Sequence, residues 1–312
     1  MFHIPTISAV FISLWCTTQA LAAPEIENLA NVDETQLSIE DFSNAEAMPL
    51  PSVTKEELAK MKSEFRMRNP DIPDQTSNQP QEDVPSLPGT LKKINAPWTD
   101  PPYWSAGRLN FINDKGKPRW CTAQFVAENV ILTAAHCVFN RDKRVWYSNF
   151  VFMRASSEGD SPQKVQLRCI SIYKTYYDPM LNYAYDYAFI LTTDEDDRPP
   201  LMMETGTPAS KTVTAIGYPQ DPDRGRFMYR VKGSWLKVEG GIATMDNNPL
   251  KKGSSGGAWF TGFKAGSLEH DKNRVISLNS HRVENQSQTN GPLFTEDTVQ
   301  LKKHVDEAKC LN

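Results

Sequence analysis

Val130-Ile131-Leu132-Thr133-Ala134-Ala135-His136-Cys137 is an apolar run that stops on a histidine and a cysteine. The chain has five histidines, one of them in its first residues, and no other ends a run of this kind. Further on, Gly253-Ser254-Ser255-Gly256-Gly257 sets a serine among glycines. Between the two lies Tyr185-Asp186-Tyr187-Ala188-Phe189-Ile190-Leu191, an acid opening another apolar run. A serine hydroxyl is a poor nucleophile at neutral pH, so acyl hydrolysis needs a base beside it and an acid to orient that base. Histidine titrates in the useful range without heavy tuning. The order therefore predicts His136 as base, Asp186 as orienting acid and Ser255 as nucleophile. The flanking glycines permit a tight turn whose backbone N–H groups, at Gly253 and Ser255, converge on a developing oxyanion.

The surrounding pattern is that of an all-β protein. Residues 107–112 and 119–126 read as strand, turn and strand about Asn113-Asp114-Lys115-Gly116-Lys117-Pro118. Further strands are predicted at 149–155, 164–173, 187–192, 211–217, 226–238, 257–261 and 274–279, consistent with a sandwich or barrels. Asp194-Glu195-Asp196-Asp197-Arg198-Pro199-Pro200 divides two halves, 98–200 and 201–295. A helix over 297–308, with Val299, Val305 and Ala308 on one side, falls in the terminal stretch 296–312.

The front of the chain is different. Residues 4–19 form a short apolar core and Ala20-Leu21-Ala22 a small-residue cleavage signal, so 1–22 reads as a secretory leader. Residues 23–97 are acidic and proline-rich. From 24 to 97 there are fourteen acids, seven bases, nine prolines and two aromatics, too little apolar surface to offset ordering entropy. A largely disordered propeptide or linker is expected, extended from Asn69 to Gly89. It is broken by one helix, where Thr54 and Glu57 form a capping box ahead of Leu58, Met61 and Phe65.

The formal charge of −4 offers no field of one sign, so neither nucleic acid nor, once the leader is removed, a membrane is expected as partner. A secreted monomer acting on protein or peptide substrates without a cofactor is the expectation. Four cysteines follow the leader. An even count in a secreted chain implies bridges. Cys121 and Cys137 flank one strand pair and are paired here, leaving Cys169 with Cys310. No C-x-x-C occurs and no histidine lies at ligand spacing, so no metal site is expected. Asn285-Gln286-Ser287 is a sequon in a polar loop.

Thr133-Ala134-Ala135-His136-Cys137, Asp186-Tyr187-Ala188-Phe189 and Gly253-Ser254-Ser255-Gly256-Gly257 resemble the three signature segments of the chymotrypsin-like serine peptidases. Ala215-Ile216-Gly217-Tyr218-Pro219, Val275-Ile276-Ser277-Leu278-Asn279 and Asn290-Gly291-Pro292-Leu293-Phe294 are more similar to the V8-like glutamyl endopeptidase branch. The resemblance spans about residues 105–310. It implies two antiparallel six-stranded β-barrels with the active site in the crevice, one barrel giving His136 and Asp186, the other Ser255, and a bridge from Cys121 to Cys137. It also implies a first specificity pocket built near Leu250, Asn279, Ser280 and His281; Lys251, Lys252, His281 and Arg282 are either positive charge for an acidic side chain or charged rim residues. Ser254 stands where trypsin-like members carry an aspartate that pairs with a new N-terminal amine, so that activation switch is not expected. Neither Pro249 nor Leu250 is an acid that would select lysine or arginine.

Two other readings use the same residues. Gly-x-Ser-x-Gly is also the nucleophile elbow of α/β-hydrolases, which requires a helix directly after the serine. A catalytically silent relative would bind a partner through the same cleft, with the front segment still attached.

Overall fold

Two curled antiparallel sheets, one in each half of the chain, make up the computed structural model, which describes residues 23–32, 42–76, 89–193, 195 and 198–312. The leader expected over 1–22 lies outside the described residues, as do 77–88 of the expected linker.

In the first sheet the hydrogen-bonded order runs Leu167–Tyr173, Ala188–Thr192, Val130–Thr133, Pro118–Ala127, Ala106–Ile112, Ser148–Arg154, with short Gln163–Val165 beyond. Val130–Thr133 and Ala188–Thr192 are buried at every position, as continuous apolar runs require. Their antiparallel register sets Ala188 opposite Thr133. The chain after Thr133 and the chain before Ala188 therefore leave the sheet at the same end, which brings His136 and Asp186 together.

The second sheet has six strands of its own, in the order Arg274–Leu278, Ala258–Thr261, Thr212–Gly217, Met228–Glu239, Ile242–Asp246, Thr289–Pro292. The same device recurs there. Ala258 pairs with Leu278, so the turn before Ala258 and the residues after Leu278 emerge side by side, placing Ser255 and Ser280 on one rim. The strand after the serine excludes the α/β-hydrolase elbow, which continues into a helix.

The predicted strands are present except that 164–173 is divided into Gln163–Val165 and Leu167–Tyr173, which pair with different neighbours. Ile242–Asp246 and Thr289–Pro292 were not predicted. The second, Thr-Asn-Gly-Pro, has the composition of a turn, and pairing with the neighbouring strand overrides that local preference. The C-terminal helix α2 spans Glu296–Asp306 and buries Thr298, Leu301 and Val305, whereas Val299, expected inward, is exposed. Both predicted disulfides form, Cys121 with Cys137 and Cys169 with Cys310. Among the described residues no helix is long and apolar enough to cross a membrane.

The front segment departs from the expectation of disorder in its described parts. Ile26–Leu29 adds an antiparallel strand to Leu167–Tyr173. Lys92–Ile94 and Gln75–Thr76 do the same to Met228–Glu239. Helix α1, Lys55–Arg68, forms with the predicted capping box: Glu57 N–H donates to Thr54 Oγ1 at 3.1 Å and Thr54 N–H to Glu57 Oε2 at 2.8 Å. Met61 and Phe65 are buried, and Phe65 packs on Tyr185 with ring centroids 6.0 Å apart. The segment lacks a core of its own, as its composition says. It orders by using the sheet edges and apolar surface of the two halves, which a reading of the segment alone cannot include.

Candidate active site

His136 and Asp186 meet as the strand register requires. Asp186 is fully buried, and its two oxygens are divided between three donors. The His136 backbone N–H donates to Oδ1 at 2.9 Å, His136 Nδ1 lies 2.8 Å from Oδ2, and the Ser280 hydroxyl donates to Oδ2 at 2.6 Å. Burial pushes the Asp186 carboxyl upward, but the His136 charge together with the hydrogen bonds from His136 and Ser280 outweighs it, and the group lies below the ordinary aspartate range. With Nδ1 held by the carboxylate, Nε2 is the ring atom left to face the cleft.

Ser255 sits in a turn bracketed by glycines with positive φ, Gly253 at +83° and Gly256 at +82°. At Gly256 the requirement is also steric: a β-carbon there would lie 2.3 Å from both Thr122 O and Thr133 Oγ1. The turn is thus pressed against Thr133, three residues before His136. Ser255 Oγ and His136 Nε2 are both buried, and neither has a hydrogen-bond partner among the described residues. Such contacts between base and nucleophile are commonly long at rest and tighten when substrate arrives.

The turn is carried by polar residues that sequence reasoning passed over. Thr122 accepts from Tyr218 N–H at 2.9 Å and donates to Gly253 O at 3.0 Å, while its own N–H donates to Ser255 O at 2.8 Å. Gln124 donates to Gly256 O at 2.9 Å and accepts from Ala258 N–H at 3.0 Å. Both are fully buried in the strand Pro118–Ala127, and through them the first half grips the second. The available signal was two polar residues alternating with Cys121, Ala123 and Phe125 in a buried strand, where polar atoms must find partners.

Four residues were expected near the first specificity pocket, and the structure places each. Leu250 is buried in the second core with Trp259 and Ile276. Asn279 uses its whole amide as a strut: it donates to Ile216 O at 2.9 Å and Ser254 O at 3.1 Å, and accepts from Asn248 at 2.9 Å and Trp259 at 2.8 Å. Ser280 is bound to Asp186. His281 stacks on Tyr183 with ring centroids 4.3 Å apart, its Nδ1 3.0 Å from Ser280 Oγ, and burial lowers its pKa to about 3, so it carries no charge near neutrality. Of the neighbouring cations, Arg282 turns back on its own half, donating to Asn248 O, Leu250 O, Ser287 O and Thr289 Oγ1. Ser254, in place of an aspartate, donates its hydroxyl to Lys251 O at 2.5 Å inside its own turn, so the turn is held without a distant amine.

Cys121, His136 and Cys137 bring ligand-type atoms within 4.8 Å of one another, but the two sulfurs are bonded to each other and unavailable to an ion.

The front segment reaches the serine turn and both halves. Gly253 N–H donates to Met48 O at 2.9 Å, and Met48 N–H donates to Trp120 O at 2.9 Å. Glu46–Ala47 pairs in parallel with Arg119 and Trp120 of one half, and Ser52–Val53 pairs in parallel with Arg282–Val283 of the other.

Two curled sheets, with the hydrogen-bonded His136–Asp186 pair and the serine turn at their rim, have the fold of a chymotrypsin-like serine endopeptidase, a hydrolase. The family model described as trypsin matches residues 104–303, and the chain belongs to that family. Among solved structures, a Glu endopeptidase is similar at 21% identity with a TM-score of 0.58, over 72% of this chain and 98% of that one. Protease Anisep from Arthrobacter nicotinovorans is similar at 19% identity with a TM-score of 0.56, over 70% and 100%. A thermostable serine protease, AL20, from an extremophilic microorganism is similar at 21% identity with a TM-score of 0.54, over 65% and 97%. No curated protein matches the sequence.

Proposed function

We propose that the chain is a secreted endopeptidase, made as a precursor, that cuts protein substrates through an acyl-enzyme on Ser255. His136 Nε2 takes the Ser255 proton as the hydroxyl attacks the scissile carbonyl, and returns it to the leaving nitrogen. Water, deprotonated by the same imidazole, then hydrolyses the ester and restores the hydroxyl. Asp186 holds the ring with Nδ1 protonated and stabilises the imidazolium, and Ser280 in turn fixes the carboxylate. Gly253 and Ser255 N–H groups receive the oxyanion, a contribution worth about 2.7 to 4 kcal/mol per donor. The observation that carries this reading is the hydrogen-bonded line from Ser280 through Asp186 to His136, beside a serine turn that presses on Thr133, three residues before that histidine.

Leu250, Asn279, Ser280 and His281 support the pocket wall in this reading, and its surface toward substrate is contributed by the neighbouring backbone. The signal-like residues 1–22 and the two disulfides support export to an oxidising compartment.

The test is a fluorophosphonate probe and a protein substrate, applied after the front segment has been removed by limited proteolysis. One label on Ser255 by mass spectrometry is expected, with hydrolysis that falls by about 10⁶-fold in Ser255→Ala. A folded, processed protein that neither labels nor cleaves would instead mean a silent relative that binds through the cleft.

A further inference from the structure

The segment 46–53 crosses the rim between the halves, and its placement has three parts. Its Met48 carbonyl accepts the hydrogen bond from Gly253 N–H, a group that an oxyanion would use. On one side of that carbonyl it is anchored to the first half by the parallel pairing of Glu46–Ala47 and by an ion pair from Glu46 to Arg119. On the other it is anchored to the second half, where Arg282 N–H donates to Pro51 O at 2.8 Å, Glu284 N–H donates to Val53 O at 2.9 Å, and Val53 is buried. In the same structure Ser255 has no exposed surface and His136 is 5% exposed.

We infer that residues 46–53 are the cleft's own inhibitor, lying in it in the direction opposite to a substrate; the inference rests on the endopeptidase reading above. The reason is the direction of the chain. A peptide that adds itself to an exposed strand edge can run either way along it. With the carbonyl oxygen kept at Gly253, reversing the chain exchanges the positions of the carbonyl carbon's two neighbours, its own Cα and the following nitrogen. His136 stands at one fixed place, so only one direction offers it the leaving nitrogen to protonate. Segment 46–53 runs parallel to both strands it pairs with, Arg119–Trp120 of one half and Arg282–Val283 of the other. In this inference a productive substrate runs antiparallel to both, and the Met48 carbonyl takes the Gly253 donor of the proposed oxyanion site without offering a bond that can be completed.

The composition of the segment suits that role. The residue after Met48 is Pro49, and Pro51 follows two places on. Each lacks a backbone N–H and has φ fixed, so the strap is stiff and cannot make the full donor ladder of a substrate strand. Helix α1 follows directly, and its buried Met61 and Phe65 hold the strap down from its C-terminal side. Tethering in the same chain makes occupation of the cleft an intramolecular event.

The experiment compares the full chain with its Glu46→Ala/Val53→Lys variant, which removes one anchor on each side and leaves the proposed catalytic groups untouched. Fluorophosphonate labelling of the variant is expected to be about tenfold or more faster than that of the unaltered chain. In a Ser255→Ala background the Gly253 amide is expected to exchange with deuterium faster by a similar factor. A synthetic peptide of residues 43–54 added to the variant should slow labelling again and be recovered uncut. Equal and fast labelling of both chains, or cleavage of the peptide after Met48, overturns the inference while the endopeptidase reading stands. Faster Gly253 exchange with no labelling of either chain overturns the endopeptidase reading and, with it, the inhibitory role of the strap. If the double variant fails to fold, Glu46→Ala alone with the peptide competition decides between the same outcomes.

Discussion

Around His136 the first half is tied covalently. The bridge from Cys121 to Cys137 joins the strand that carries Thr122 and Gln124 to the residue next to the histidine, and the second bridge fixes Cys169 of the same sheet to Cys310. Around Ser255 the second half, residues 201–295, contains no cysteine at all. There the serine turn is braced from within its own half by Asn279, whose four hydrogen bonds reach Ser254, Ile216, Asn248 and Trp259. The first half holds its group by a bond that limits the unfolded chain, the second by polar atoms that must be paired once buried. Asp186 is where the halves meet, since it accepts from His136 of one and from Ser280 of the other.

That contrast can be broken at four points. The largest effect is expected at the shared group. Asp186→Asn should lower kcat by about 10⁴-fold through the wrong imidazole tautomer, in steady-state hydrolysis by the processed enzyme. A fall of less than about tenfold would show that the carboxylate does not orient His136. Next is Asn279→Leu, which leaves two carbonyls, an amide and an indole N–H without partners in a buried site. A loss of about 4 kcal/mol is expected from urea unfolding. Removing the bridge with Cys121→Ala and Cys137→Ala should cost somewhat less, about 3 kcal/mol for a sequence separation of 16. If the bridge proves costlier to lose than Asn279, the ranking of the two devices is reversed.

The smallest effect is a slope with pH. The unfolded chain protonates His281 near its ordinary value of 6.5, whereas the folded chain holds it to about 3. Between these values the unfolded state binds one more proton, so stability falls as pH falls, by about 1.4 kcal/mol per unit. Asp186 acts in the same direction at lower pH: its folded value is depressed, so its contribution is present above the unfolded aspartate value and is lost as pH drops through the folded one. Urea midpoints from pH 6 to pH 4.5 should therefore flatten in His281→Phe. An unchanged slope would show that His281 is not held neutral.

Much of the site was legible because its signals are local. A histidine closing an apolar strand, an acid opening one and a serine among glycines are each visible in fewer than a dozen residues, and the strand registers then bring them to one rim. Residues whose partners lie far along the chain were not legible. Thr122 and Gln124 act on a turn about 130 residues away, and Asn279 was expected near the pocket when its amide is fully used inside the fold. Val299 was assigned inward on helical period alone, but the face that packs on the first sheet is set by where α2 lands.

By itself the sequence determined the all-β class and the start of helix α1, because apolar period and capping act over a few neighbouring residues, and its even cysteine count limited the pairings to three. Only the tertiary structure decided that an acidic, proline-rich front would be ordered and in which direction it would cross the cleft. Those outcomes depend on sheet edges and on the Gly253 N–H that Met48 O takes, which are brought together only after residues more than a hundred positions apart have packed.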